Sequence, residues 1–120
     1  MTRPNILRCI PKHRDGIDQV FHALADSTRR QVVEQLAPGP ATTSELAQPF
    51  DMSLPSFTQH LAILEAAELV TSIKKGRVRT YRLAPAGLEL ADGWLVRQRR
   101  IWQRRLDQLD AFVLELKERS

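Results

Sequence analysis

Ser53, Ser56, Thr58, Gln59 and His60 place hydroxyl, amide and imidazole groups on the stretch SLPSFTQHLAIL, residues 53–64, which has no carboxylate. Acids would repel phosphate oxygens, whereas short polar side chains let a helix approach base edges and exchange hydrogen bonds there. A second polar group follows. Lys74, Lys75, Arg77 and Arg79, with Arg82 beyond them, lie in a run free of acid. Such charges blunt an exposed strand edge, but next to the first group they fit the gripping of phosphates, which gives affinity without reading sequence. A metal site is poorly supplied: Cys9, His13, His22 and His60 are few and scattered, and zinc-type sites need several such ligands to converge. No nucleophile–base constellation or phosphate-cradling glycine loop is present, so catalysis is not expected.

The elements that must position these groups follow from periodicity. Ser53 can cap a helix with Pro55 in its first turn, and Phe57, Leu61 and Leu64 form a buried stripe that leaves the polar residues outward. Upstream, Thr42 and Glu45 make a capping box for a short helix through Leu46 and Ala47, ended by Pro49; Phe50, Asp51 and Met52 form the turn. Two helices joined so tightly are helix-turn-helix geometry, the second entering the groove. Val70 to Lys74 and Val78 to Leu83, around Lys75, Gly76 and Arg77, read as a β-hairpin, a basic wing. Before these, Ile17, Val20, Phe21 and Leu24 mark a first amphipathic helix to about Ala25, with His22 beside its stripe as a packed or surface residue. Asp26 caps a second helix whose Val32, Val33 and Leu36 face the core. Arg29 and Arg30 sit in its first turn against the helix dipole, a position that suits a phosphate, an acidic partner residue or plain solvation.

The last segment, from Gly87 on, is helical and long. Leu95, Trp102, Leu106, Leu109, Val113 and Leu116 recur at steps of four and three, apart from a gap near Gln98 and Arg99, and Ile101 and Phe112 widen the row. Packing onto the first helix would cover part of it. A small domain offers limited cover for so long a stripe, so a dimer interface is expected. Trp94 and Trp102 are read as core or interface rather than as the lining of a ligand pocket.

With 120 residues, a net charge of +4 and a pI near 9.8, the chain suits one basic domain. The reading divides it into a basic leader, 1–15, open to disorder; a winged helix-turn-helix domain, 16–84; and a C-terminal dimerisation helix, 85–120. No apolar run approaches a membrane span or a signal peptide, which implies a cytoplasmic protein without a membrane partner, and Cys9 is read as an incidental thiol.

Taken in order, ALADSTRRQVVEQLA, TSELAQPFDMSLPSFTQHLAILEAAELV and GRVRTYRL resemble the ArsR/SmtB family of bacterial winged-helix transcriptional repressors. The resemblance implies a mainly α fold with a small β-hairpin, an α+β winged helix-turn-helix with a long dimerisation helix. It further implies a homodimer on an inverted-repeat operator of double-stranded DNA, released by an effector. It places Ser56, Thr58, Gln59 and His60 toward the groove. Leu54 and Pro55 stand where polar residues are frequent, Gln59 and Ala62 where basic ones are, and Glu68 where a glycine is common before the wing. ELAQPF lacks the cysteines of metal-sensing members and no histidine follows His60, so a non-metal signal and no bound cofactor are expected. A metal-responsive repressor and a winged-helix protein-interaction module without specific DNA binding are the alternatives.

Overall fold

The computed structural model describes residues 15–119; the expectations for the leader and Cys9 lie outside the described residues. The elements are α1 (Asp15–Leu24), α2 (Ser27–Gln35), β1 (Ala41–Thr42), α3 (Thr43–Ala47), α4 (Leu54–Ala66), β2 (Val70–Lys75), β3 (Val78–Leu83) and α5 (Pro85–Arg119). Three helix starts are fixed as their sequences demand. Asp26 accepts the Arg29 N–H at 3.1 Å, Thr42 and Glu45 exchange the two bonds of a capping box at 3.2 and 2.8 Å, and Ser53 accepts the Ser56 N–H at 3.3 Å. Each cap satisfies an N–H that the helix leaves over, worth about 1 kcal/mol.

The sheet is antiparallel in the order β1-β3-β2. The hairpin pairs Val70 with Leu83 through to Lys75 with Val78, and its two-residue connection opens on Gly76 at φ 60, the left-handed region that a hairpin glycine enters without Cβ strain. β1 adds Ala41 opposite Tyr81 and Thr42 opposite Thr80, a strand that the sequence reading did not foresee because two residues carry no alternation.

The core is built where these elements meet: Val20 and Ala23 of α1, Val32 of α2, Leu46 of α3, the stripe Phe57, Leu61 and Leu64 of α4, and Leu69, Val70 and Tyr81. Phe50 stacks tilted on Phe57 at 5.5 Å, joining the turn to α4.

The exit from α4 is unusually tight. The N–H of Glu68 bonds the Glu65 carbonyl and that of Leu69 the Leu64 carbonyl, both at 3.0 Å. This Schellman ending requires the left-handed conformation that Glu68 adopts at φ 59. Glu68 therefore occupies a glycine-type position, which gives the unusual residue before the wing its physical meaning. The Glu68 carbonyl then accepts the Gly87 N–H at 2.9 Å, and a Cβ on Gly87 would lie 2.6 Å from the Ala67 carbonyl oxygen. The first turn of α5 is thus pressed against the end of α4, backbone to backbone.

Beyond that, α5 leaves the domain. Phe21 of α1 meets Trp94 edge-on at 5.5 Å, but only Gly87 and Ala91 of the helix are buried. A helix of 35 residues is about 52 Å long, and the radius of gyration, 20.7 Å, exceeds the roughly 14 Å of a compact chain this size. Packing onto α1 therefore covers only the start of the helix. Leu95, Trp102, Leu106, Leu109, Val113 and Leu116 are all exposed, Trp102 most at 65%. Trp94 is committed to Phe21, and Trp102 lies beside Ile101 and Arg105 in a shallow cleft.

Because a left-handed L-residue costs about 1 kcal/mol or more, Glu68→Gly is expected to raise stability by about 0.5 to 1 kcal/mol after allowance for the freer unfolded chain. Gly87→Ala should lower it. Urea unfolding of both variants checks the pair, and a loss of stability in Glu68→Gly would show that the side chain, not the backbone, dominates that position.

Candidate nucleic-acid interface

With Phe57, Leu61 and Leu64 committed to the core, α4 turns Ser53, Ser56, Thr58 and Gln59 outward, all exposed. Their hydroxyls are pre-set by local bonds: the Ser53 hydroxyl lies 3.0 Å from that of Ser56, and Thr58 donates to the Pro55 carbonyl at 2.9 Å. Each oxygen keeps acceptor capacity toward an incoming group. Leu54 shares this surface and is 57% exposed, offering the kind of apolar contact that a thymine methyl accepts.

Facing this row across a cleft of about 530 Å³ is the hairpin, with Lys74 and Arg77 on one wall, Thr43 and Ser44 at the start of α3 on another, and Thr58 and Leu54 on the α4 side. Lys74, Lys75 and Arg77 are exposed, whereas Arg79 is half-buried. Arg79 Nη1 donates to the Ser72 hydroxyl, which donates to Glu65 Oε2, each at 2.9 Å. The four expected wing cations therefore divide into three that project and one that braces the hairpin against α4. Next to this brace, burial first and Glu65 second push the Tyr81 hydroxyl above its ordinary pKa, opposed by Arg79. It stays a neutral donor and acceptor.

The expectation for Arg29 needs correction, whereas Arg30 is exposed, as the solvated alternative had it. Arg29 is 7% exposed and is neither a phosphate contact nor a solvated charge. Nε donates to the Ala23 carbonyl at 2.8 Å and Nη2 to that of His22 at 3.2 Å, at the end of α1, where the last carbonyls keep capacity for a further donor even though the His22 carbonyl also accepts the Ala25 N–H. Nη1 reaches His60 Nδ1 at 2.9 Å. Arg30 bonds the Leu24 carbonyl at 2.7 Å. His60 is accordingly half-buried, tied at one ring nitrogen to α2, and sits at the root of the polar row rather than at its crest. The sequence reading missed Leu54, Thr43 and Ser44. Leu54 continues the Phe57–Leu61–Leu64 spacing three residues upstream, so periodicity argued for burial and hid its exposure; Thr43 and Ser44 join the site through β1, for which the sequence had no signal.

Among the described residues no three His, Cys, Asp or Glu side chains converge as metal ligands, and no helix is long and apolar enough to cross a membrane.

A family model described as a helix-turn-helix domain matches residues 24–73. The chain is 34% identical over 80 residues, 67% of its own length and 89% of the relative's, to the transcriptional repressor SdpR of Bacillus subtilis. A crystal structure of the ArsR family transcriptional regulator RHA00566 superposes with a TM-score of 0.73 at 43% identity, over 75% of this chain and 93% of that one. The solution structure of the homodimeric winged helix-turn-helix DNA-binding domain of Mb0332 from Mycobacterium bovis matches at 25% identity and a TM-score of 0.57, over 75% and 85% of the two chains.

The geometry around Asp26 generates a pH prediction. The Arg29 backbone N–H above all, and then the Arg29 guanidinium and the neighbouring His60 ring, hold the Asp26 carboxyl below its usual range against some desolvation. A depressed folded pKa stabilises above the unfolded value of about 3.9 and is lost as pH falls through the folded one. Asp26→Asn keeps a capping oxygen without the titration. Its urea midpoint should therefore fall less than that of the unmodified protein when pH is lowered from about 5 to about 2.5; equal falls would refute this account.

Proposed function

The chain belongs to the ArsR/SmtB family of winged helix-turn-helix, DNA-binding transcriptional regulators, and from that premise we propose that it acts as a homodimeric repressor on an inverted-repeat operator, released by a signal that is not a metal. The observation that carries this reading is the cleft between α4 and the wing, where the hydroxyls of Thr58, Thr43 and Ser44 face Lys74 and Arg77 in a lining without acid. Ser53, Ser56, Thr58, Gln59 and His60 are assigned to the groove side, with Ser53 also holding the helix end. Lys74, Lys75 and Arg77 take phosphates, and Arg79 contributes by fixing the hairpin that carries them.

Two-fold pairing is supported by the exposed row of α5 and by the homodimeric likeness. Two recognition helices must reach successive major grooves about 34 Å apart, and a fixed two-fold axis sets that spacing. The charge along α5 also fits a second copy. Arg97, Arg99, Arg100, Arg104 and Arg105 precede Asp107, Asp110, Glu115 and Glu118, which Lys117 and Arg119 accompany, so an antiparallel pair would set a strongly basic stretch against a weakly acidic one.

Selecting bound fragments from genomic DNA with the purified protein tests the function and yields the operator. On that duplex, Arg77→Ala should weaken binding to all sequences alike and lower the slope of log affinity against log salt by about one. A loss confined to one sequence would exclude the phosphate role. Leu109→Glu places a charge in the proposed interface and should cost several kcal/mol of association. Sedimentation is expected to find a folded monomer that binds the operator poorly; a folded dimer with tight binding would sink the assignment of the α5 stripe.

A further inference from the structure

Arg29 is the only charged residue buried among the described residues, and its bonds specify more than packing. A guanidinium donates and never accepts, and it is always charged. The 2.9 Å contact between Arg29 Nη1 and His60 Nδ1 therefore requires His60 to be the acceptor, which fixes a neutral imidazole with its proton on Nε2. The two carbonyls that hold the other arms of Arg29 belong to the end of α1. A single side chain thus joins α1, whose Phe21 packs on Trp94 of α5, to the middle of α4.

We propose that Arg29 is a positioning residue for DNA recognition, acting through His60, and that their bond makes operator binding weaken on acidification. Adding a proton to Nδ1 turns two donors on one another beside a buried cation, so the bond exists for neutral His60 alone. The charged groups that face His60 are Arg29 and, with Oδ2 3.8 Å from Nδ1, Asp26; α1 presents the His22 and Ala23 carbonyls to Arg29 itself, and the α4 neighbours Phe57, Leu61 and Leu64 are apolar. Asp26 Oδ2, 3.8 Å away, is the carboxylate that a protonated Nδ1 would face. It already holds the Arg29 N–H, so the proton moves His60 from the guanidinium toward the cap of α2 and slackens the tie that orients α4. The direction is diagnostic. A mere gain of positive charge at a DNA surface strengthens binding, whereas loss of this tie weakens it.

The inference rests on the DNA-binding reading, and the experiment has an arm that needs no DNA. Operator affinity of the full chain is measured at fixed salt at about pH 7.5 and about pH 5.5, across the range in which imidazoles change charge. One linked proton lowers affinity by up to roughly tenfold per pH unit, so a fall of about tenfold is expected. His60→Asn puts a side-chain oxygen near the place of Nδ1 and does not titrate, so its pH profile should be flat, while His22→Gln, which removes the exposed imidazole, should keep the fall. In parallel, the ring ¹⁵N shifts of His60 in the free protein should show the Nε2–H tautomer at the higher pH. Affinity that is steady or rises on acidification, an equal fall in His60→Asn, or an Nδ1–H tautomer overturns the proposal. Failure to bind any duplex at either pH overturns the repressor reading instead, and the tautomer still decides whether the Arg29–His60 bond exists.

Discussion

A helix that is to meet another molecule along one side has to be gripped along the other, and this condition shapes most of the chain. Phe57, Leu61 and Leu64 of α4 are fully buried, and each side chain of this size withdrawn from water contributes about 1.5 to 3 kcal/mol. The price is that everything around them must supply apolar cover without reaching the outer face. Val20 and Ala23 of α1, Val32 of α2 and Leu46 of α3 do so from below. The turn contributes Phe50 against Phe57. Apart from Leu54, Pro55 and Ala62, what remains outward is polar because nothing in the core asks for it, and its freedom from acid is what makes it compatible with phosphate.

The same division runs through the hairpin. Strand residues alternate faces, so Tyr81, committed to the core, puts Arg79 and Ser72 on the inner side with it, where they meet Glu65 of α4. The tip residues Lys75 and Arg77 have no such obligation and project. Position in the register, rather than residue type, decides which cation braces and which is available to a polyanion.

That logic also explains how far the sequence could be read. Caps, the α4 stripe and the hairpin depend on residues within a few positions of one another, so Asp26, Thr42 with Glu45, Ser53 and the Val70–Leu83 run were legible. Arg29 was not. Its burial depends on the carbonyls that end α1 and on His60, 31 residues away, and an arginine in a first helical turn ordinarily looks like a surface charge. Glu68 was obscure for the opposite reason: its residue type argues against the φ of 59 that it adopts, and the demand comes from the Schellman ending and the approach of Gly87. The inner placement of Arg79 could have been inferred, since parity with a core Tyr81 fixes it. β1 could not, because two residues paired to a distant strand leave no local trace.

The join between α4 and α5 carries a mechanical consequence. It is made by backbone groups, Gly87 N–H to the Glu68 carbonyl and Ala84 N–H to that of Leu69, with no room for a Cβ at Gly87. Side chains can repack around a rotation, but backbone contacts at this distance resist one. A 35-residue helix rooted there is a lever whose outer part carries the exposed apolar row. Whatever covers that row fixes the direction of α5, and with it the direction of α4, because α1 is held to both helices: to α5 through Phe21 on Trp94 and to α4 through Arg29 on His60. A signal that alters how the long helices pair would therefore reach the DNA-facing helix through two routes. One is rigid and made of backbone; the other is a single hydrogen bond from a buried guanidinium to an imidazole nitrogen.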